Sequence, residues 1–131
     1  MKDVFITSTL HNDWNVSFNP KLCEELERRG ISCHLPQRDT NQNGESNEKF
    51  SQNINGINNS KKILGVALNV SPNWGGEVGF SYGSNKPIIL LAEDTTEIPL
   101  MLEHMSDRII RVENINNIED YINQLISIIK N

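Results

Sequence analysis

The sequence predicts an α/β domain in which a five-stranded parallel sheet is covered by helices on both faces. Strand-like apolar runs alternate with helix-like patterns along the whole chain, which is typical of a parallel sheet. The third and fourth runs, at residues 63–68 and 88–92, contain no charged or hydrogen-bonding side chain, as expected for strands buried on both faces. Right-handed crossovers then leave few topologies, and we expect the strand order 2-1-3-4-5 of flavodoxin-like and Rossmann-like sheets.

The first part of the chain predicts a strand, a long loop and a helix. Residues 4–6 read as a short buried strand, and the polar stretch 8–19 reads as a loop. Pro20 is predicted to open a helix at its first turn, where its missing N–H is not needed. Gly30 is predicted to end that helix as a C-cap.

The later elements follow the same alternation. Residues 31–35 predict the second strand, residues 36–45 a polar loop, and residues 47–59 a helix. The buried stripe of that helix is predicted to contain Phe50, Ile54 and Ile57. Beyond the third strand, we expect a Gly-rich helix at 74–82, the fourth strand at 88–92, a helical segment near 99–105, a fifth strand at 109–112 and a terminal helix at 118–129.

Length and charge limit the classes of function. The 131 residues fit a single domain, 1–131, without linker or repeat. The net charge of −5 without a basic stripe argues against binding a nucleic acid polymer, although it allows a small nucleotide. The N-terminus lacks the apolar core of a signal peptide, and no segment has the length of a membrane span. We therefore expect a cytoplasmic protein that does not bind membranes.

Glu77 is the strongest candidate for chemistry. In sheets of this kind, ligands bind beyond the carboxyl ends of the strands, which selects the loops after the first three strands. Residues 73–80 follow the third strand, and Gly75 and Gly76 would let backbone and ligand approach closely. Glu77 is predicted in the first helical turn, where the helix dipole favours an ionised carboxylate, as a nucleophile requires. Capping of the helix is the alternative role.

Other polar residues at this edge have two possible roles each. Asn53 falls on the apolar face of its helix, where it could bind a base or sugar hydroxyl or satisfy a loop carbonyl. Gln37 and Asp39 could read base edges, or they could stabilise their own loop. His11, after the first strand, is more typical of a solvated loop residue.

The sequence gives no sign of a metal or cofactor. Cys23 and Cys33 do not have metal-ligand spacing, and we expect two buried, reduced thiols. The glycines after the third strand lack the Lys-Ser/Thr pair of a phosphate-binding Walker loop. They also follow the wrong strand for a dinucleotide fingerprint. We therefore predict no metal and no cofactor.

Together these pieces resemble the nucleoside 2-deoxyribosyltransferase family. The most specific match is the strand 63–68 leading to Gly75-Gly76-Glu77-Val78-Gly79-Phe80 and then Lys86-Pro87-Ile88. The opening strand, the Leu35-Pro36-Gln37-Arg38-Asp39 loop and residues 52–57 also match, so that the resemblance covers nearly the whole chain.

The resemblance implies an N-glycosidase mechanism with retention of configuration. Glu77 would attack the anomeric carbon of a 2′-deoxynucleoside and displace the base, and a second base or water would then take the sugar. Gly75, Gln37 and Asp39 would contact substrate, and Phe5 would pack near the base where family members often carry tyrosine. Members also form oligomers whose neighbours complete the site, so a homodimer or larger assembly is expected.

The chain departs from the family at two acidic positions. Asn53 stands where members commonly carry an aspartate that helps to protonate or hold the base, and an amide cannot act as a general acid. Ser71, or Asn73 if the turn is shorter, replaces an aspartate that contacts the sugar. Related nucleoside-monophosphate hydrolases tend to have serine there, and near Thr9 and His11 they use a hydroxyl residue and an arginine.

Three activities therefore remain open. Transfer of deoxyribose between bases is the first, and hydrolysis of nucleoside 5′-monophosphates is its close variant. A nucleotide sensor with weakened catalysis on the same fold is the second. A TIR-like signalling domain that cleaves NAD is the third, because Asp3-Val4-Phe5-Ile6 and a catalytic glutamate also fit that class.

Overall fold

The computed structural model describes residues 1–10 and 12–131 of the chain. It confirms the α/β architecture and the strand order, which is β2-β1-β3-β4-β5 with all pairs parallel. The strands are β1 (Lys2–Thr7), β2 (Cys33–His34), β3 (Ser60–Val66), β4 (Ile88–Glu93) and β5 (Arg108–Val112). The helices are α1 (Asp13–Arg28), α2 (Pro36–Asp39), α3 (Ser46–Asn58), α4 (Pro72–Gly83), α5 (Leu100–Met105) and α6 (Ile122–Lys130), with a 3₁₀ turn at Ile118–Asp120.

The sheet separates two hydrophobic cores. On one face, Ile6 and Leu64 pack with Leu22 of α1 and Leu125 of α6. On the other face, side chains of the alternate strand positions, such as Phe5 and Leu90, pack with apolar residues of α3 and α4. Helices therefore cover both faces, as the uninterrupted apolar strands predict. In the ranges described, no helix is both long enough and apolar enough to cross a bilayer.

Helix α1 begins earlier than predicted and contains Pro20 in its interior. Its N-cap is Asn12, whose side-chain oxygen accepts a hydrogen bond of 2.8 Å from the Asn15 backbone N–H. Pro20 cannot bond to the Val16 carbonyl, and the Gln37 side-chain amide donates to that oxygen instead, at 3.0 Å. The predicted loop at 8–19 is therefore wrong from Asp13 onward, because the helix buries polar residues that read as a loop, Asn15 and Asn19.

Helix α3 has a different buried side from the predicted stripe. Ile57 is fully buried, but Ile54 is half-buried and Phe50 is 67% exposed, so the predicted stripe is wrong at its N-terminal end. The helix lies closest to the sheet at Gly56, where an added Cβ would lie 2.7 Å from Cε1 of His34. Its earlier turns instead hydrogen-bond to residues 40 and 41, which leaves Phe50 in solvent.

The region after β2 is helical where a loop is predicted. Residues Pro36–Asp39 form the single turn α2, with Pro36 at its start, where a missing N–H costs nothing. Strand β2 is correspondingly short, only Cys33–His34, and it lies at the edge of the sheet. Both cysteines are buried and free, in agreement with the expectation of reduced thiols.

Helix α4 is anchored to the sheet by the indole of Trp74. Trp74 is 1% exposed, and its Nε1–H donates to the Thr7 carbonyl at 3.1 Å, beyond the last ladder bonds of β1. The ring lies against Gly65 of β3, where an added Cβ would lie 3.2 Å from Cζ2 of Trp74 and 2.7 Å from Cδ2 of Leu90. A glycine at this strand position therefore favours the close packing of the indole and Leu90 on β3.

Gly65→Ala is expected to destabilise the fold by about 1–3 kcal/mol, the usual cost of overpacking a core. The added methyl group meets Cδ2 of Leu90 first and the indole next, so the Trp74 environment and its near-ultraviolet circular dichroism should also change. Chemical denaturation measures the free energy of unfolding. Gly83→Ala is the matched control, because an added Cβ there meets no atom within 4 Å. Equal stability of the two variants would contradict the role given to Gly65.

Candidate active site

Glu77 lies on the second turn of α4, beside the carboxyl end of β1. The helix begins at Pro72, and its N-cap Ser71 accepts a hydrogen bond from the Trp74 backbone N–H at 3.3 Å. The predicted position in the first turn is therefore wrong, because the helix starts before Trp74. The side chain is half-buried, and its Oε1 accepts a hydrogen bond of 2.8 Å from the Thr7 hydroxyl.

The electrostatics of Glu77 are set by burial rather than by the helix terminus. Burial raises the pKa of the Glu77 carboxyl above its ordinary value, and the hydrogen bond from Thr7 partly opposes that shift. In the part of the chain that the structure describes, Glu77 forms no ion pair. The result is a carboxylate held in place by a neutral donor and destabilised in its charged form.

The predicted site residues that precede Glu77 lie at the N-cap and in the first turns of α4. Ser71 is half-buried and is occupied as the N-cap, whereas Asn73 is exposed. Gly75 has no atom within 4 Å of an added Cβ. The turn that carries the chain from β3 to this helix uses Asn69 with a φ of 53°, a left-handed conformation that asparagine tolerates better than most residues. Asn73 thus lies about one helical turn before Glu77, and Ser71 lies about one and two-thirds turns before it.

Phe5 and His34 form a stacked pair on the same side of the sheet as Thr7. Phe5 is 0% exposed, and its ring lies 4.9 Å from the His34 imidazole, centroid to centroid. Phe5 and Thr7 are two residues apart on β1, so their side chains point to the same face. The Nε2 atom of His34 is buried and has no partner among the described residues, and burial lowers the pKa of this imidazole.

Asn53 contacts the loop after α2. Its Oδ1 accepts a hydrogen bond of 2.7 Å from the Thr40 hydroxyl, and the side chain is half-buried. The amide therefore has one of its two alternative roles, support of the loop, while its Nδ2 donors are not used in the described contacts. Because Gly56 lies one turn further along α3, against Phe5 and His34, Asn53 belongs to the same side of the sheet as Glu77.

Gln37 and Asp39 are both engaged within the protein. The amide of Gln37 bonds to the Val16 carbonyl, as described above, and its Oε1 is buried. Asp39 accepts hydrogen bonds from the Leu35 backbone N–H at 2.9 Å and from the Arg38 guanidinium. Burial raises the pKa of Asp39, but the Arg38 and Leu35 donors outweigh it, so that its pKa lies below the ordinary value.

The sequence-predicted residues thus form three groups, of which Gln37 and Asp39 on α2 are one. Glu77, Ser71, Asn73 and Gly75 share α4 and its cap, while Phe5 and Asn53 lie along the neighbouring β1 and α3. Sequence reasoning did not select Thr7 or His34 as site residues, although each ends a strand at the carboxyl edge. His11 lies outside the described residues. A cavity of about 620 Å³ between α1 and α2 includes Gln37 but neither Glu77 nor Thr7.

Solved structures of three proteins share this fold at low identity. The 2-deoxyribosyltransferase from Bacillus psychrosaccharolyticus superposes with a TM-score of 0.73 at 19% identity, over 90% of each chain. The CMP N-glycosidase of Clostridium botulinum gives 0.68 at 18%, over 93% of this chain and 96% of that one. The TIR domain of the Toll-related receptor TRR-2 from Hydra magnipapillata gives 0.70 at 21%, over 100% of both.

The match of the sequence to a family model shows which family the chain belongs to. The chain has no match among curated proteins. The family model described as nucleoside 2-deoxyribosyltransferase, however, matches residues 4–120, a range that includes most of β1, all of β3 and α4, and Glu77. The resemblance seen in the strand, the Gly-rich segment and the Lys-Pro-Ile run is therefore confirmed, and the chain belongs to the nucleoside 2-deoxyribosyltransferase family.

Proposed function

We propose that the protein cleaves the N-glycosidic bond of 2′-deoxynucleosides, with Glu77 as the nucleophile, and passes the deoxyribosyl group to a second nucleobase. The observation that carries the proposal is the half-buried Glu77 carboxylate, held by Thr7 at the carboxyl end of the sheet. The family supports N-glycosidic chemistry in general, and its matched range includes this residue. Ligands of open α/β sheets bind at this same edge.

The reaction follows the double displacement of retaining glycosidases. A carboxylate oxygen of Glu77 bonds to the anomeric carbon while the bond from that carbon to the base nitrogen breaks. The base leaves with the electron pair and takes a proton from water. A second base then attacks the same carbon through a ring nitrogen, displaces Glu77 and restores the original configuration. Its N–H proton goes to the hydroxide that the first step left from water. No cofactor or metal takes part in either step.

The leaving base is held by donors rather than by a second carboxylic acid. Asn53 uses its oxygen on Thr40, so that its amide hydrogens are the groups left to bind a base acceptor. Phe5 stacks on His34 and supports the site from the surface of the sheet. Gln37 and Asp39 hold the segment after β2 in place through their bonds to Val16 and Leu35, and they do not bind the base in this proposal. Ser71, Asn73 and Gly75 adjoin the sugar.

Hydrolysis of a nucleoside 5′-monophosphate is the second candidate. The observation that favours it is Ser71, a hydroxyl residue at the N-terminus of α4, where backbone N–H groups attract anions. The Clostridium botulinum protein of the same fold is named as a CMP N-glycosidase. In this variant water replaces the second base, and the products are free base and deoxyribose 5-phosphate.

We further propose that a second copy of the chain packs on α4 and α5. Tyr82 is 54% exposed, Leu100 and Met101 are more exposed still, and Phe80 is 36% exposed, three residues from Glu77. Exposed apolar side chains on two outer helices that contact each other are typical of an interface. A partner there would also cover one side of a site that is open in the single chain.

Glu77→Gln is expected to abolish base release, with a fall of at least about 1,000-fold in kcat, because the amide cannot form the glycosyl ester. The assay measures free base and new nucleoside from deoxyinosine, deoxyuridine and their monophosphates, with and without adenine, and nicotinamide release from NAD. The wild-type rate should also fall as the pH drops through the raised pKa of Glu77, since protonation removes the nucleophile.

Glu119→Gln is the matched control, an exposed carboxylate in the 3₁₀ turn on the other face of the sheet, and it should leave the rate unchanged. New deoxynucleoside in the wild type identifies a transferase, and free base with deoxyribose phosphate identifies the hydrolase. Nicotinamide release alone would favour the TIR-like activity instead. If Glu77→Gln retained the wild-type rate, the nucleophile would be misassigned.

Tyr82→Glu is expected to shift the protein from dimer or larger to monomer in light scattering after size-exclusion chromatography, because it places a charge in the apolar interface. Val16→Glu is its control, since Val16 is 47% exposed on α1, which covers the opposite face of the sheet. A monomeric wild-type protein, or equal effects of the two variants, would exclude this interface.

A further inference from the structure

Thr7 is buried in a position that leaves its hydroxyl one described partner, Glu77. The residue is 0% exposed, and its carbonyl accepts the indole N–H of Trp74. Its methyl group lies 3.6 Å from the position of an added Cβ on Gly65. Since a threonine side chain has few rotamers, this packing directs the hydroxyl to Oε1 of Glu77, at 2.8 Å.

We propose that Thr7 is a positioning residue that gives the two oxygens of Glu77 different roles. Oε1, which accepts the Thr7 hydroxyl, becomes the carbonyl oxygen of the glycosyl ester, and Oε2 forms the bond to the anomeric carbon. The inference rests on the proposed function, because it concerns the steps of that reaction. It adds a group that neither the sequence motifs nor the family match assigns.

The hydrogen bond has opposite effects on the two halves of the reaction. When Oε2 bonds to the anomeric carbon and the base departs with its electron pair, the negative charge on Glu77 is lost and Oε1 becomes a weaker acceptor. When a base nitrogen or water attacks that carbon, the Oε2–carbon bond breaks and its electron pair returns to Glu77. Thr7 donates more strongly to the carboxylate than to the ester, so it favours breakdown of the ester over its formation.

Within the described residues, Thr7 is also the group that opposes the effect of burial on Glu77. Burial raises the pKa of the carboxyl, Thr7 lowers it, and no charge on the neighbouring elements contributes to the shift. The charged or titratable residues of the elements packed against α4 are Lys2, Asp3, Lys61, Lys62, Glu93, Glu103 and His104. Removal of the hydroxyl should therefore act directly on Glu77.

The test compares Thr7→Val, which keeps the branched shape without the hydroxyl, with Thr7→Ser, which keeps the hydroxyl. In Thr7→Val, the pKa of Glu77, followed by carboxyl ¹³C NMR, should rise, and the acid limb of kcat/KM should move to higher pH. The glycosyl-enzyme should also persist. Rapid mixing should then show a burst of one base per site, followed by turnover slowed about tenfold, the loss expected for one hydrogen bond to a charged group. Thr7→Ser should restore all three properties.

Two results would overturn the inference. One is an unchanged Glu77 titration and no burst in Thr7→Val, and the other is a Thr7→Ser variant that behaves as Thr7→Val does, since loss of packing would then be the cause. The titration does not require activity. If the wild type released no base from any nucleoside while Thr7→Val still raised the pKa of Glu77, the proposed function would fail and the Thr7–Glu77 contact would stand.

Discussion

The hydrogen bond from the Trp74 indole to the Thr7 carbonyl is the contact on which the site depends. It joins α4 to the end of β1, and the indole ring packs against Gly65 of β3. Apolar contacts alone do not fix the position of a helix along a sheet, because they are not directional. The buried hydrogen bond from Trp74 to the Thr7 carbonyl is directional and fixes the position of α4 on the sheet. In that position, Glu77 lies within hydrogen-bond distance of the Thr7 hydroxyl.

The same principle operates on the other side of the sheet edge. Gln37 replaces the hydrogen bond that Pro20 cannot make, and it thereby ties the segment after β2 to α1. Asp39 and Arg38 close that segment on itself. Gln37 and Asp39, which the sequence suggested as ligand-binding residues, thus form hydrogen bonds that hold the segment after β2 in place. What is left for a ligand is the part of the edge between α3 and the start of α4.

Apolar patterning predicted the fold well, and side-chain pairing set the limit of what could be predicted for the site. Strands β3 and β4 and the order of the sheet follow from uninterrupted apolar runs and from right-handed crossovers. The start of α1 was missed because Asn15 and Asn19 are buried polar residues, which no periodicity identifies. Glu77 was selected by its glycines and by the family pattern, but its contact with Thr7 joins residues 70 positions apart. Such a contact leaves no local signal.

The Glu77 carboxylate is partly buried, and its described partner is a neutral hydroxyl. This environment affects how strongly the site would stabilise a transition state relative to a bound substrate. In the proposed reaction, a neutral nucleoside brings no positive charge, so the charge of Glu77 would stay poorly compensated while substrate merely binds. As the bond to the base stretches, positive charge grows on the sugar, and attraction between the two charges grows with it in a medium of low dielectric constant. In that reaction, the free-energy cost of burying Glu77 would be offset mainly in the transition state, which would raise kcat rather than affinity.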